Sequence, residues 1–394
     1  MFDWHILTGE YPPQSGGVGD YTRLLARELA QAGDSVYIWA PASLEPTPAD
    51  TRVEVRRLPG RFGLRALMAL HKGLKRSAHP RRILVQYVPQ AFGWPVLNIP
   101  FCLWLLSRRR ETVWVMFHEV YFPMGRKQSL ALNAVGAITR FMAVLVARAA
   151  ARMFVSIPAW AQLLKPLVAK DAEIVWLPIP SNINVHEDSA GVEEIRARYA
   201  PGENGYVIGH FGTYGKRIVE QLKTALPALL LEHPERVALL LGRGGEALRD
   251  ELVCAYPELG GRLHATGALS ADDVSRHLKA CDLLIQPFID GVSSRRTSLM
   301  AGLAHGLPIV TTTGSLTESL WSESRAVILA EAGDTDGMVS AAERILSDAA
   351  ERERLAAAAR RLYQERFDVS HTISALREDV RQHEYSPVVV CKTA

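Results

Sequence analysis

Residues 281–313 leave the chain little choice of fold. Cys281 to Pro287 is an apolar run with the length and bounds of a buried strand. Asp290 and Gly291 break it, and Val292, Ser293 and Ser294 lead into a helix carrying Leu299, Met300 and Leu303 on one face. Gly306 and Pro308 stop that helix, and Ile309 to Thr313 reads as the next strand. Strand, helix and strand this close together imply parallel pairing with the helix laid across the sheet. The loop that opens the helix is polar, and a helix start offers free N–H groups and a positive dipole end that suit a phosphate. Arg295 and Arg296 are expected in the first helical turn, where two cations oppose the dipole and stabilise nothing without an anion. The other reading is that Ser293 or Ser294 only caps the helix and the arginines are solvated.

The same alternation runs through the chain. Phe2 to Thr8 reads as a strand, followed by a glycine loop with Ser15, Gly16, Gly17 and Gly19. A helix follows, with Tyr21, Leu24, Leu25, Leu29 and Ala32 at helical spacing up to Gly33. Strands are expected at 35–40, 82–88, 112–117, 152–156 and 173–177, with a long apolar helix over 130–150 and a shorter one over 159–168. His118 stands just past the carboxyl end of a strand, where parallel sheets bind ligands; the alternative for a lone histidine is a structural place in the core. The prolines of Leu177-Pro-Ile-Pro-Ser-Asn182 stop regular structure and put a boundary near Pro180. Beyond it come a strand at 206–211, a loop at 212–216 and a helix at 217–232. Further strands are expected at 237–242 and 262–265, helices at 247–256 and 270–280, and helices again over 334–346 and 349–367. The expected organisation is α/β with two doubly wound parallel sheets: 1–180, 181–367, and 368–394 as a last helix and tail returning to the first domain.

A chain of 394 residues has ample length for two cores. Four scattered cysteines without ligand spacing look like reduced residues, not a disulfide framework or a metal site. Without a basic-then-apolar leader or an uninterrupted apolar stretch of about 20 residues, a cytoplasmic location is expected. The net charge of +3 conceals an asymmetry: residues 52–110 hold thirteen Lys or Arg and one acid, Glu54, a balance of +12 that leaves −9 for the remainder. That stretch also holds Trp94, Val96, Leu97, Phe101, Leu103 and Trp104, closed by Arg108, Arg109 and Arg110. Basic residues beside bulky apolar ones suit an anionic membrane face or a lipid-phosphate acceptor. A core helix with a solvated basic rim is the alternative. No recognition motif accompanies the charge, so nucleic acid is not expected.

Several segments carry a family resemblance. Gly302 to Thr313 (GLAHGLPIVTTT), the opening GEYPPQSGGVGDYTRLLARELAQAGDSV, VWVMFHEVYFP, LPIPSNI and LHATGALSADDVSRHLKACDLLIQPF, in that spatial logic and over residues 2–367, resemble retaining GT-B glycosyltransferases of family 4, the group 1 glycosyl transferases. The resemblance implies transfer of a sugar from a UDP- or GDP-sugar to a glycan, lipid-linked or small-molecule acceptor, with retention at the anomeric carbon and no metal. It implies His118 near the reacting centre and Lys216 and Arg217 at the leaving diphosphate. The donor is then expected at Gly16, Gly17, Gly212, Thr213 and the amides around Val292, Ser293 and Ser294, with Asp290, Arg295, Arg296 and Glu318 as this chain's own candidates. Negative charge develops on that diphosphate, so donors and cations held there lower the barrier.

Two departures stand out. The family's Arg and Lys, about five residues apart, are here the adjacent Lys216 and Arg217. Its two loop glutamates eight positions apart are missing, since Ser293 and Ala301 fall at those positions. The expectation is that Arg295 and Arg296 supply lost phosphate contacts and that Asp290 or Glu318 takes a sugar or ribose hydroxyl. The alternative is a catalytically silent nucleotide-sugar-binding subunit serving a partner transferase. A GT-B epimerase would need several cleft carboxylates, and few are visible.

Overall fold

The computed structural model describes residues 1–14, 16–75, 79–92, 97–200, 202 and 205–378. The chain forms two compact units, one of Met1–Pro178 with the segment from Val369, the other of Ile179–Asp368.

The first unit is built on seven parallel strands, β1 (Asp3–Thr8), β2 (Ser35–Pro41), β3 (Val53–Leu58), β4 (Arg81–Tyr87), β5 (Val113–Phe117), β6 (Arg152–Val155) and β7 (Ile174–Trp176), in the order β3-β2-β1-β4-β5-β6-β7. All six residues of β1 and all five of β5 are buried, as expected of strands covered on both faces. Helices Leu64–Leu74, Ile99–Leu106, Leu130–Ala149 and Pro158–Leu164 supply Leu67, Leu70, Phe101, Leu105, Met142, Val146 and Leu164 to one core against the sheet. Helix Gly17–Gln31 packs elsewhere, against the final helix Val369–Arg377. That final helix is held through its end carbonyls: buried Arg82 donates to Leu376 O at 2.6 Å and buried Arg152 to Ala375 O at 3.0 Å. Arg377 pairs with the buried carboxylate of Asp34 at 3.3 Å.

The second unit has six parallel strands, β8 (Tyr206–Phe211), β9 (Arg236–Leu241), β10 (Leu263–Gly267), β11 (Leu283–Gln286), β12 (Ile309–Thr313) and β13 (Ile328–Glu331), in the order β10-β9-β8-β11-β12-β13. Side chains alternate between two cores: Leu239 and Leu241 enter one, Ala238 and Leu240 the other. Helices Lys216–Leu230, Gly245–Ala255, Ala271–Lys279, Thr297–Ala304, Thr335–Ser347 and Ala349–Leu362 cover the faces. In both units the chain runs outward from a central strand on one side and then crosses to the other. The carboxyl ends of β1 and β4, and of β8 and β11, are therefore the switch points where a doubly wound sheet opens a crevice.

Several elements go beyond the sequence reading, among them two strands and two helices. β3 and β13 are edge strands, and β3 carries Glu54, Arg56 and Arg57 outward, which erases an apolar signal. Helix Ser189–Tyr199 buries no residue and so has no stripe to read. Helix Leu64–Leu74 sits inside the basic stretch. Trp94 and Val96, and the part of the expected last helix beyond Glu378, lie outside the described residues.

Candidate functional site

The second unit's switch point is formed by the turns after β8 and β11. Gln286, the last residue of β11, donates to Phe211 O at the end of β8 (2.9 Å) and ties the two strand ends together. After β8 the chain turns through Gly212, Thr213, Tyr214 and Gly215 into helix Lys216–Leu230. The turn is tight: Gly212 lies at φ +149°, and a Cβ on its neighbour Gly242 (φ +113°) would stand 2.6 Å from Gly212 O. Lys216 and Arg217 are the first two residues of that helix, one position earlier than expected. Both are exposed, and the N-cap Gly215 supplies no side chain. No acid occupies the first turn, and neither cation makes a salt bridge among the described residues. This end of the helix is set up for an anion.

The loop after β11 is stitched to the neighbouring strand. Thr312 Oγ1 donates to Phe288 O at 2.5 Å, and Val292 N donates to Thr312 O at 2.7 Å. Gly291 (φ +86°) and Gly314 run in backbone contact, a Cβ on Gly314 falling 2.4 Å from the carbonyl carbon of Asp290. Ser293 is fully buried and its Oγ has no hydrogen-bond partner among the described residues. Ser294 donates through both its amide (2.9 Å) and its hydroxyl (2.6 Å) to Glu318 Oε1, while Trp321 Nε1 donates to Glu318 Oε2 at 2.6 Å. Burial pushes the Glu318 carboxyl above its ordinary value, although these bonds pull the other way.

Three expectations change here. Arg295 and Arg296 do not sit in the first helical turn: the helix begins at Thr297, with Arg296 as its N-cap residue. The anion they need is in their own loop, because Arg295 donates to Asp290 Oδ2 at 2.7 Å and Arg296 to Asp290 Oδ1. The Arg296 guanidinium lies over the Phe288 ring, and burial lowers its pKa. The amides of Val292 and Ser294 are likewise already engaged, since Thr312 O and Glu318 accept from them. The amides without a side-chain cap are those opening helix Thr297–Ala304. That helix start abuts the other turn, for a Cβ on Gly212 would lie 3.4 Å from Ser298 Oγ. Two uncapped helix starts thus meet at one corner.

Residues 205–348, which span this corner, match the family described as Glycosyl transferases group 1. The matched segment lies within the second unit. No curated protein matches the chain by sequence. Among solved structures, this chain resembles a sucrose-phosphate synthase from Thermosynechococcus elongatus (17% identity, 95% of this chain and 97% of that one, TM-score 0.72). It also resembles WaaG, a glycosyltransferase involved in lipopolysaccharide biosynthesis (14%, 96% and 100%, TM-score 0.65). A third likeness is to Anabaena Alr3699/HepE in complex with UDP and glucose (15%, 95% and 98%, TM-score 0.65). These likenesses show a GT-B fold, with two parallel sheets and interleaved helices.

In the first unit, the glycine turn after β1 is closed by its own acid. Glu10 Oε1 accepts from the amides of Val18 (2.9 Å) and Gly19 (3.0 Å), the helix-start position an anion would take. A Cβ on Gly16 would overlap that carboxylate, at 2.2 Å from Oε1, whereas Gly17 faces open space. His118 follows β5 and is 9% exposed. Its Nε2 donates to Gln86 Oε1 at 2.7 Å, its carbonyl accepts from Trp160 Nε1 at 2.7 Å, and Tyr21 meets its ring edge-on. Burial pulls the imidazole down to about 3, so the ring is neutral at physiological pH. Glu10 and Gln86 are absent from the sequence reading. Gln86 has a signal, as the one polar residue in the apolar run Ile83 to Val88 at a strand's carboxyl end. Glu10 has only its place between β1 and a glycine turn. Among the described residues, no group of three His, Cys, Asp or Glu is placed to hold a metal.

Proposed function

We propose that this protein transfers a sugar from a UDP- or GDP-sugar to a glycan or lipid-linked acceptor, with retention at the anomeric carbon. The observation that carries the reading is the corner of the second unit. There the uncapped starts of helices Lys216–Leu230 and Thr297–Ala304 meet, with Lys216 and Arg217 unpaired beside them. Amides and cations together stabilise the charge left on a departing diphosphate. The UDP bound by Alr3699/HepE supports a uridine donor. Asp290 engages its oxygens with Arg295 and Arg296, and Glu318 with Ser294 and Trp321, so the two carboxylates hold the loop's shape and the arginines meet the donor as a half-neutralised, still cationic pair. His118, neutral and fixed by Gln86, is the hydrogen-bonding group offered to the sugar. The acceptor is met in the cytoplasm at an anionic membrane face through the basic stretch 52–110.

The test is slow hydrolysis of a UDP- or GDP-sugar without acceptor, following the first-formed anomer by NMR. Release of the α-anomer from an α-donor, lost in Lys216→Ala/Arg217→Ala, supports the reading. Nucleotide binding without release points instead to a silent binding subunit, and release of the β-anomer sinks retention.

A further inference from the structure

We infer that the outer face of helix Leu130–Ala149, with the turn before it, is a docking surface for an anionic lipid bilayer. This extends the membrane contact proposed above and rests on that reading for its role in acceptor delivery. The helix has the length and hydropathy of a membrane span, but its inner side is already used: Met142, Ala143, Val146 and Ala149 belong to the core against the sheet. A helix lying on a sheet turns charged and polar residues to solvent. Here Leu130, Ala134, Ala137 and Phe141 recur at spacings of four, three and four on the exposed side, with Leu130 89% and Phe141 50% exposed, and no charge occurs from Ser129 to Thr139. Leu132 and, in the preceding turn, Met124 add further exposed apolar surface beside a hollow of about 390 Å³ lined by Phe122, Pro123, Gln128, Leu132 and Val135.

Cations frame this apolar surface. Arg126 and Lys127 are exposed in the same turn. On the same sheet face, helix Leu64–Leu74 exposes Leu64 and Met68 beside Arg65 and Lys72. Helix Ile99–Leu106, packed against Leu130–Ala149, exposes Leu103 and ends at the exposed Arg109 and Arg110. Residues 55–170 hold nineteen Lys or Arg against two acids, Glu111 and Glu119. An apolar stripe with interspersed cations and almost no acid matches an anionic interface, where apolar side chains enter the acyl boundary and cations meet headgroup phosphates. Two copies of so basic a face would repel each other. The last described helix, Val369–Arg377, packs on helix Gly17–Gln31, which right-handed crossovers place on the opposite face of the sheet.

The experiment is sedimentation of the full chain with vesicles of phosphatidylcholine plus phosphatidylglycerol, or of phosphatidylcholine alone, with the UDP- and GDP-induced thermal shifts recorded on every sample. The wild-type chain should pellet at low salt with the mixed vesicles only, and less as salt rises. Leu130→Glu/Phe141→Glu should weaken pelleting by tenfold or more, on the order expected when apolar insertion is lost. Arg126→Ala/Lys127→Ala, confined to an exposed turn, should weaken it by about 25-fold, roughly fivefold for each cation. Absent pelleting of the wild type at low salt, or pelleting unchanged in both variants, overturns the surface. So does a dimer in light scattering that Leu130→Glu/Phe141→Glu dissolves, since a second copy then covers the face. Pelleting without any nucleotide response keeps the surface and removes the transfer reading, so the two fail separately.

Discussion

At the scale of single residues, Asp290 decides how the cations at the donor corner behave. It accepts from both Arg295 and Arg296, two groups only a fifth to a third exposed. Removing its charge takes from two partly desolvated cations the carboxylate they share, at a cost of about 1–3 kcal/mol. Asp290→Asn should therefore melt earlier than wild type and should be rescued more strongly by inorganic phosphate or UDP, because the ligand replaces the lost carboxylate. An equal ligand response in both proteins, read by thermal shift, would mean that these arginines do not meet the nucleotide. The buried histidines give a second prediction. Burial holds His118 at about 3 and His5 and His210 at about 4, all below the ordinary 6.5. A base with a depressed folded pKa contributes stability that is complete above 6.5 and is lost as pH falls toward the folded value, because only the unfolded chain takes up the proton. Wild-type stability should drop between pH 6.5 and 4, and His118→Gln should flatten the drop by about 2 kcal/mol at pH 5. Parallel pH profiles of the two proteins in urea titrations would contradict a buried neutral His118.

At the scale of elements, the donor loop depends on two backbones touching. A Cβ on Gly314 would fall 2.4 Å from the Asp290 carbonyl carbon and 2.5 Å from Gly291 N, with no flexible side chain to give way. Gly314→Ala should cost about 1–3 kcal/mol and weaken UDP binding beyond what the lost stability explains, as titration calorimetry of the folded variant would show; unchanged affinity would separate this loop from the nucleotide. That contact was not legible in the sequence, which showed only two glycines 23 residues apart. What was legible follows from burial. Strands covered on both faces, such as Leu283–Gln286 and Val113–Phe117, read as apolar runs, and helices with a buried stripe read by their spacing. Edge strand Val53–Leu58 and helix Ser189–Tyr199 have little or nothing to bury and left no such mark. The corner proposed for the donor was legible only as a strand end followed by a polar loop. Its internal pairing was not, because Asp290 and Glu318 reach their partners across turns that periodicity does not encode.

At the scale of the whole chain, stability is divided between two units, each with its own buried core residues. The first unit is completed by residues from the far end of the sequence, since Arg82 and Arg152, each about 5% exposed, hydrogen-bond to Leu376 O and Ala375 O. Without helix Val369–Arg377 both guanidiniums lose those acceptors, and a hydrogen bond to a charged group contributes about 1.5–3 kcal/mol. The corner proposed for the donor, by contrast, lies wholly in the second unit. A ligand at 100 times its dissociation constant adds about 2.7 kcal/mol to whatever folds around it. Calorimetry of the full chain and of a chain ending at Asp368 should therefore show opposite signatures. Truncation should lower the transition of the first unit and leave the other near its wild-type temperature. UDP should raise the transition of the second unit in both proteins. A single transition that moves with either change would mean that the units unfold together, and a UDP shift confined to the first unit would place the nucleotide at the Gly16 turn rather than beside Lys216 and Arg217.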